Sequence, residues 1–365
     1  MKEKWIALLG RCDKPTDAVE DYCKYLGEAL AGHGVELRLE RLEWNAAGWP
    51  AALQELRQRA AAWRGQWVLV QYTALAWSAR GFPVGFLRVL RELGRAGTKV
   101  GVVFHDVEPY SGQRLIDKLR RRVQVRTMRG ALQLADTAVL TVPAERISWM
   151  RMSQQLAKTR FIPVGANLDV PLDQGPRATK TGRVLTVAVF GITGGASGER
   201  ETCAIVGAIR QAAKSIGPMR LSVFGRHADE RESSLREGLR DLPVEVSVEG
   251  VLNGQEVVER LQASDVLLFM RSGISTRRSS AIAGIACGLP VIAATGSETA
   301  PPITEAGVAF YSEESGKTAG AVLTNVLQDA EYRQTLADQS RRAFQEHFSW
   351  HAIAREYLRA LLPDG

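Results

Sequence analysis

A glycine-rich segment is the first candidate for chemistry. Residues 190–200, FGITGGASGER, follow a predicted buried strand and lead into a predicted helix. Glycines let a backbone approach a ligand closely, and the free N–H groups at a helix start bind phosphate. The spacing matches neither G-x-G-x-x-G nor a Walker A loop. The segment therefore predicts a phosphate site of another kind, and the alternative is an ordinary strand–helix loop.

Two arginines at the start of a helix of small residues are the second candidate. Ser275 or Thr276 can cap this helix, which places Arg277 and Arg278 in its first turn. Cations at that end oppose the helix dipole, so an anionic ligand is expected to offset them. The alternative is that both side chains point into solvent.

Single residues after other predicted strands complete the set of candidates. His105 and Asp106 follow a strand of the first half, where the histidine can act as a general base or orient a substrate. The alternative is a structural histidine bonded to a backbone carbonyl. Arg226 follows a strand of the second half and is expected at the edge of the cleft. Val251 follows the next strand, where the backbone can lie against a base.

Several kinds of site have no matching motif. Asp-x-Asp is absent, and no His, Cys and carboxylate cluster has the spacing of metal ligands, so no metal site and no cofactor are expected. Neutralising a phosphate group would then fall to arginines and helix termini. Gly-x-Ser-x-Gly is also absent, which disfavours an α/β-hydrolase. The four cysteines lie far apart, as buried thiols of a cytoplasmic protein do.

The elements that must position these residues follow from a regular alternation. Short runs rich in Val, Leu and Ile alternate with amphipathic stretches, which predicts parallel sheets covered on both faces. The pattern restarts after a stretch rich in Pro and Gly. The sequence thus predicts two Rossmann-like, doubly wound α/β domains facing across a cleft, with ligands beyond the carboxyl ends of the strands. The predicted divisions are residues 1–170, a linker at 171–182, residues 183–346 and a terminal helix at 347–365.

Composition and charge narrow the class of protein. Hydrophobic residues make up 45% of the 365 residues and charged residues 24%, which excludes a disordered chain. No apolar run is long enough to span a bilayer, and no secretory signal is expected. Residues 1–175 carry 26 Lys and Arg against 18 Asp and Glu, whereas residues 176–365 carry 21 against 22. The basic first half predicts an anionic partner, and the alternative is a solvated basic face.

Much of this basic charge falls in one predicted amphipathic helix. Residues 114–129 carry seven Lys and Arg against Asp117, beside an apolar stripe. Such a helix is typical of proteins that bind an anionic membrane surface. The alternative is a packed helix with a solvated basic face.

The order of several segments resembles glycosyltransferases of family 4, which have the GT-B fold. These segments are 15–22, Val70-Gln71-Tyr72, Phe104-His105-Asp106, 161–167, Asp265-Val266-Leu267-Leu268, 286–291 and Phe348-Ser349-Trp350. In that fold the last helix crosses back to the first domain. The resemblance implies that the first domain holds an acceptor and the second a nucleotide-diphosphate-sugar donor.

The chain departs from this family at the positions that contact the donor. The family has a Glu-x7-Glu pair that here falls on Ser275 and Ala283, neither of which is acidic. Of the usual Arg and Lys that hold the diphosphate, the first corresponds to Ile192 and the second falls near Arg200. Arg277 and Arg278 are expected to replace these two residues, since arginine binds phosphate through two hydrogen bonds at once.

The resemblance implies a bacterial, retaining, hexosyl-transferring glycosyltransferase of glycan biosynthesis, and the missing metal motifs predict that it is metal-independent. The acceptor is expected to be a glycan, a lipid-linked molecule or a small molecule, and nucleic acid is not an expected partner. The cysteines predict a cytoplasmic protein, and the basic helix predicts peripheral binding at the inner face of the membrane, with a simply cytoplasmic enzyme as the alternative. One alternative is a non-catalytic GT-B-like protein that binds a nucleotide or glycan, and another is a two-domain sugar-nucleotide epimerase.

The residues expected to carry the function fall into three groups. The catalytic groups are His105 and Asp106, and the acceptor-side residues are Thr16, Asp17 and Tyr72. The donor-binding residues are Gly191, Thr193, Gly194, Gly195, Arg200, Arg226, Val251, Ser275, Thr276, Arg277 and Arg278.

Overall fold

A computed structural model describes residues 3–13, 17–110, 112–150, 156–173, 175 and 184–362. The chain divides into two compact units. The first unit comprises Met1–Val164 together with Trp350–Gly365, and the second comprises Gly165–Ser349. The candidate residue Thr16 lies outside the described residues.

The first unit is built on a six-stranded sheet in which every pair of neighbouring strands is parallel. The strands are β1 (Glu3–Leu9), β2 (Val35–Arg41), β3 (Trp67–Tyr72), β4 (Lys99–Phe104), β5 (Thr137–Leu140) and β6 (Thr159–Phe161), in the spatial order β2-β1-β3-β4-β5-β6. The helices are α1 (Ala18–Ala31), α2 (Trp44–Ala47), α3 (Trp49–Ala60), α4 (Phe86–Arg95), α5 (Leu115–Leu134) and, after the second unit, the terminal α12 (Trp350–Leu361). The strand order reverses between β1 and β3, which is the switch point of this sheet.

The second unit repeats the architecture with another strand order. Its strands are β7 (Leu185–Phe190), β8 (Met219–Phe224), β9 (Val244–Glu249), β10 (Val266–Phe269), β11 (Val291–Ala294) and β12 (Val308–Tyr311), all in parallel pairs. Its helices are α6 (Gly195–Ile216), α7 (Glu232–Leu239), α8 (Gly254–Ala263), α9 (Ser279–Ala286), α10 (Ala319–Gln328) and α11 (Ala330–Ala343). The spatial order β12-β11-β10-β7-β8-β9 is that of a dinucleotide-binding sheet, with its switch point between β7 and β10.

Continuous burial explains why the apolar runs form central strands. Val68, Leu69 and Val70 of β3 are fully buried. Residues 187–189 of β7 and 266–269 of β10 are at most 4% exposed. A strand covered on both faces needs apolar side chains at successive positions, so its run does not alternate with polar residues. The predicted fold class, two doubly wound α/β units, is confirmed.

The terminal helix α12 belongs to the first unit. Tyr22 of α1 and Tyr357 of α12 share a hydrogen bond of 2.8 Å between hydroxyls that are both fully buried. Trp67 Nε1 donates to the carbonyl oxygen of Leu361 at 3.0 Å, which ties the end of the helix to β3. These contacts attach a segment to a sheet that is remote from it in sequence.

The amphipathic pattern at 144–157 predicts a helix that the structure does not contain in its described part. Only the 3₁₀ turns Ala144–Arg146 and Leu156–Lys158 are present, and residues 151–155 lie outside the described residues. Trp149 Nε1 donates to the carbonyl of Val107 at 2.7 Å. Tertiary contacts of this kind hold the chain in a non-helical path and override a weak local preference.

The helix predicted after Arg277 is present, but its start differs from the prediction. α9 begins at Ser279, its N-cap is Arg278, and no side chain caps it. Ser275 and Thr276, the predicted caps, are fully buried before the helix starts. Among the described helices, none combines the length and the apolar character that crossing a bilayer requires.

The tyrosine pair that anchors α12 yields a stability prediction. Tyr22→Phe or Tyr357→Phe leaves one buried hydroxyl unpaired, so each is expected to lower the free energy of unfolding by about 1–3 kcal/mol. The double variant removes both polar groups and is expected to cost less than the sum of the two. Urea unfolding of all four proteins measures this coupling, and additive losses would contradict it.

Candidate functional site

A cavity of about 680 Å³ lies at the switch point of the second sheet. Its walls come from the segments after β7, β8 and β10 and from the first turns of α6. Ligands of doubly wound sheets bind at this place, because the loops on either side of the switch point diverge and leave a crevice.

The loop after β7 is held in place by close packing at its glycines and by a side-chain hydrogen bond. Gly191 has a φ of +71°, and a Cβ there would lie 2.8 Å from Nη2 of Arg271. The backbone N–H of Thr193 donates to Oε2 of Glu201 at 2.9 Å. A Cβ on Gly198 would meet the Thr193 carbonyl at 1.8 Å, so the first turn of α6 also depends on a glycine. The predicted residues Thr193 and Gly194 line the cavity.

Four arginines line the cavity against a single carboxylate. They are Arg200, Arg226, Arg271 and Arg278, and the carboxylate belongs to Glu201. The sequence predicts three of the four and misses Arg271. That residue stands two positions after β10, so its place at a strand end beside the switch point is the signal that identifies it.

Arg271 is a half-buried cation of the cavity. Its Nε is buried without a hydrogen-bond partner and lies 3.7 Å from Oε1 of Glu201. Burial, together with the charge of Arg226, lowers the pKa of Arg271 below its ordinary value, while Glu201 opposes the shift. A half-buried guanidinium whose buried Nε has no hydrogen-bond partner, beside further cations, favours an anionic ligand.

His227 is a second lining residue that the sequence does not single out. It has a φ of 60°, which is uncommon for a residue other than glycine. Its Nδ1 lies 2.8 Å from Oε1 of Glu230, and its ring packs against Gly194. Backbone in this region is often found at ligand sites, where surrounding contacts maintain it.

Arg277 does not line the cavity, contrary to its predicted place beside Arg278. Its Nε and Nη2 donate to the two carboxylate oxygens of Glu298 at 2.7 and 2.8 Å, and Ser275 Oγ donates to the same carboxylate at 3.1 Å. Burial would raise the pKa of Glu298, but the contacts with Arg277 hold it below its ordinary value. The predicted donor residues Ser275 and Thr276 are fully buried, and Val251 is exposed away from the cavity.

A second, smaller pocket of about 250 Å³ lies at the switch point of the first sheet. Its polar lining includes the predicted residues Asp17 and Asp106. Tyr72 is instead buried in the core against Phe86 and Phe104, and its neighbour Gln71 lines the pocket. Successive residues of a strand point to opposite faces, which explains this correction.

One carboxylate of this pocket, that of Asp17, is held by an arginine that also lines it. Arg41 Nη2 donates to Asp17 at 3.1 Å and to Glu20 at 2.5 Å. Asp17 also caps α1 by accepting from the backbone N–H of Val19 and Glu20. Cys12, Asp17 and Glu20 bring ligand atoms within 4.8 Å of one another, but the guanidinium already serves as their cation. This group therefore does not resemble a metal centre.

His105 is a neutral hydrogen-bonding group beside this pocket. Its Nε2 lies 2.8 Å from Oε1 of Gln71, and the ring meets Tyr22 edge-on at 4.9 Å. Burial lowers the pKa of His105 to about 4, although Asp17 opposes the shift. Its neighbour Asp106 accepts a hydrogen bond from the backbone N–H of Ala74 at 3.1 Å. At neutral pH the histidine can orient Gln71, which lines the pocket, without carrying charge.

Comparison with known proteins establishes the class of fold. No family model matches the chain, and no curated protein matches its sequence. HepE of Anabaena, solved with UDP and glucose, matches 98% of this chain and 99% of its own with a TM-score of 0.65 at 13% identity. Sucrose-phosphate synthase of Thermosynechococcus elongatus matches over 98% of each chain, with a TM-score of 0.66 and 17% identity. A glycosyltransferase of Rickettsia africae matches over 99% of each chain, with a TM-score of 0.64 and 12% identity. The chain has the two-domain α/β fold of GT-B glycosyltransferases.

The low pKa of His105 predicts acid sensitivity of the first unit. The unfolded pKa of about 6.5 exceeds the folded value of about 4, so the unfolded state binds the extra proton between these values. Stability is expected to fall as pH drops through this window, by up to about 3 kcal/mol from this group. Urea unfolding of wild type and His105→Gln across pH 4–7 measures it. The free energy of unfolding of His105→Gln should depend less on pH than that of wild type. His33→Gln, at an exposed histidine, should keep the wild-type dependence. The same pH dependence in all three proteins would refute the low pKa of His105.

Proposed function

We propose that the protein is a glycosyltransferase that moves a hexosyl group from a nucleoside-diphosphate sugar to an acceptor hydroxyl. The arginine-lined cavity of the second unit carries this proposal. A diphosphate is the anion that a nucleotide sugar presents, and guanidinium groups match phosphate oxygens in geometry and charge. The volume of about 680 Å³ falls within the range of sites that bury a ligand of this size.

Solved proteins of the same fold support the choice of a nucleotide. HepE has been solved with UDP and with UDP-glucose, and MnaA of S. aureus has been solved with UDP. MnaA is similar to this chain with a TM-score of 0.57 and 11% identity over 98% of each chain. A uridine nucleotide is therefore the first donor to test.

The proposed mechanism assigns leaving-group stabilisation to the arginines. As the bond between sugar and diphosphate breaks, negative charge grows on the leaving phosphate. Cations held in fixed positions in a site from which water is excluded stabilise this charge best. In a retaining transfer without metal, the departing phosphate takes the proton of the attacking hydroxyl. No strongly basic side chain is then needed, and this suits the neutral His105. We assign His105, Asp106 and Asp17 to orienting an acceptor in the smaller pocket of the first unit.

A second candidate is a non-catalytic protein that binds a nucleotide or glycan. One observation favours it: Ser275 and Ala283, where the family resemblance places two glutamates, are both buried. Neither offers a carboxylate to the ribose or sugar of a donor. Release of UDP from UDP-glucose distinguishes the candidates, since only an enzyme produces it repeatedly.

The cavity predicts which arginines contribute to nucleotide binding. Arg271→Ala and Arg278→Ala each remove a charge-assisted contact of about 1.5–3 kcal/mol, so UDP affinity should fall by about 10- to 150-fold while uridine affinity changes little. Calorimetric titration of both ligands measures this difference. Arg236→Ala, at an exposed arginine of α7, is the matched control. Equal losses for UDP and uridine would assign the arginines to the fold instead of the ligand.

Neutralisation by arginine also predicts that donor binding does not require a metal ion. UDP at 100 times its Kd should stabilise the protein by about 2.7 kcal/mol, and the accompanying rise in Tm should be unchanged by a chelator. Thermal unfolding with UDP, with UDP plus chelator, and with the chelator alone measures the rise in Tm. If the chelator abolishes the rise in Tm, the metal-independent mechanism is wrong. If no nucleotide raises Tm, the proposed function is wrong.

A further inference from the structure

One face of α5 concentrates positive charge. Its exposed cations are Lys118, Arg121, Arg122, Arg126 and Arg129, joined by Arg91 of α4. Together they line a groove of about 900 Å³, and no acidic residue lines it among the residues described. This surface, termed the α5 basic face, is separate from both pockets discussed above.

The helix carries exposed apolar side chains next to these cations. Leu115 is 84% exposed, Ile116 48% and Leu119 50%, all in the first turns of α5. Positions three and four apart lie on one side of a helix, so Leu115 and Leu119 continue the row of Arg122 and Arg126. Large apolar side chains exposed together near one helix end are uncommon on a surface that meets only water.

The only acidic residue of α5 does not neutralise the face. Asp117 is buried to 7% exposure, and Arg120 Nη1 donates to it at 2.6 Å. The Arg120 guanidinium also lies 4.9 Å from the ring centre of Tyr110 and 5.6 Å from that of Phe82. Arg120 is therefore part of the packing of this helix and does not belong to the α5 basic face.

We propose that the α5 basic face docks on an anionic lipid bilayer, with Leu115, Ile116 and Leu119 entering the boundary between headgroups and acyl chains. Arginine and lysine complement the negative potential of such a surface. A soluble polyanion would pair with the same cations but would leave the three apolar side chains in water. A bilayer accounts for both features, since apolar area adds to electrostatic attraction in interfacial helices. The inference rests on this helix and does not depend on the proposed function.

Vesicle sedimentation tests the proposal on the full chain. The vesicles contain equal parts of phosphatidylglycerol and phosphatidylcholine, with pure phosphatidylcholine as the neutral reference. Arg121→Glu/Arg122→Glu/Arg126→Glu should lower the partition coefficient by about 100-fold or more, since each basic residue contributes about fivefold. Leu115→Ser/Leu119→Ser should lower it by about tenfold with the charge unchanged. The matched control, Lys214→Glu/Lys317→Glu/Arg342→Glu, changes the net charge equally at exposed sites of the second unit.

The outcomes separate a membrane from other anions. The proposal is supported if the protein binds anionic but not neutral vesicles, and if the arginine variant loses this binding while the control keeps it. Salt should also weaken the binding, because it shortens the Debye length from about 10 Å at 0.1 M to about 3 Å at 1 M. Thermal melts confirm that each variant is folded. Absence of wild-type binding at low salt overturns it, as does equal loss in the control. If the leucine variant binds vesicles as wild type does and an oligonucleotide competes fully, the face is a general polyanion site and the membrane assignment is wrong.

Discussion

The gathering of four arginine side chains around one space is the constraint that defines the second unit's cavity. Arg200, Arg226, Arg271 and Arg278 line one space, and among the described residues that line it the carboxylate is that of Glu201. The lowered pKa of Arg271 reflects both burial and its cationic neighbour. Placing like charges around one space costs electrostatic free energy, so the surrounding backbone must hold these side chains in place.

Close backbone packing supplies this support. The loop after β10 lies directly against the loop after β11, since a Cβ on Gly273 would come within 2.3 Å of Gly296 Cα. Ile274 N donates to the carbonyl of Ala294 at 3.0 Å, and Thr299 Oγ1 donates to that of Ile274 at 2.5 Å. The ion pair between Arg277 and Glu298 joins the same two loops. A buried pair that contributes little net stability can still fix a geometry, and here it fixes the segment that carries Arg271 and Arg278.

The two units use the same sheet edge for opposite chemistry. At the switch point of the second sheet, cations exceed carboxylates, which suits an anionic ligand. At the switch point of the first sheet, Asp13, Asp17 and Asp106 outnumber Arg11 and Arg41, and Arg41 is already bound to Asp17 and Glu20. Gln71 and Thr73 line the same pocket. Carboxylates and amides of this kind are hydrogen-bond partners for hydroxyl groups. The proposed roles of donor and acceptor sites follow this difference in charge.

The sequence by itself determined the elements and their alternation. Buried parallel strands require continuous apolar runs, and helices start and end at glycines and polar caps, so local pattern is enough to recognise two doubly wound units. It also located Thr193, Gly194, Arg200, Arg226 and Arg278 near strand ends of one sheet, where a cavity was found. Position after a strand is a local property, and the carboxyl ends of parallel strands share one edge.

Only the tertiary structure decided which of two neighbouring side chains faces a cavity. Arg271 and Arg277 are equally basic, yet Glu298, from the loop after the next strand, binds Arg277 and leaves Arg271 in the cavity. Tyr72 turns into an aromatic core while Gln71 meets the pocket, because the pleat and the packing of α4 assign one face to each. Partners remote in sequence choose among side chains of similar character, and no local pattern contains them.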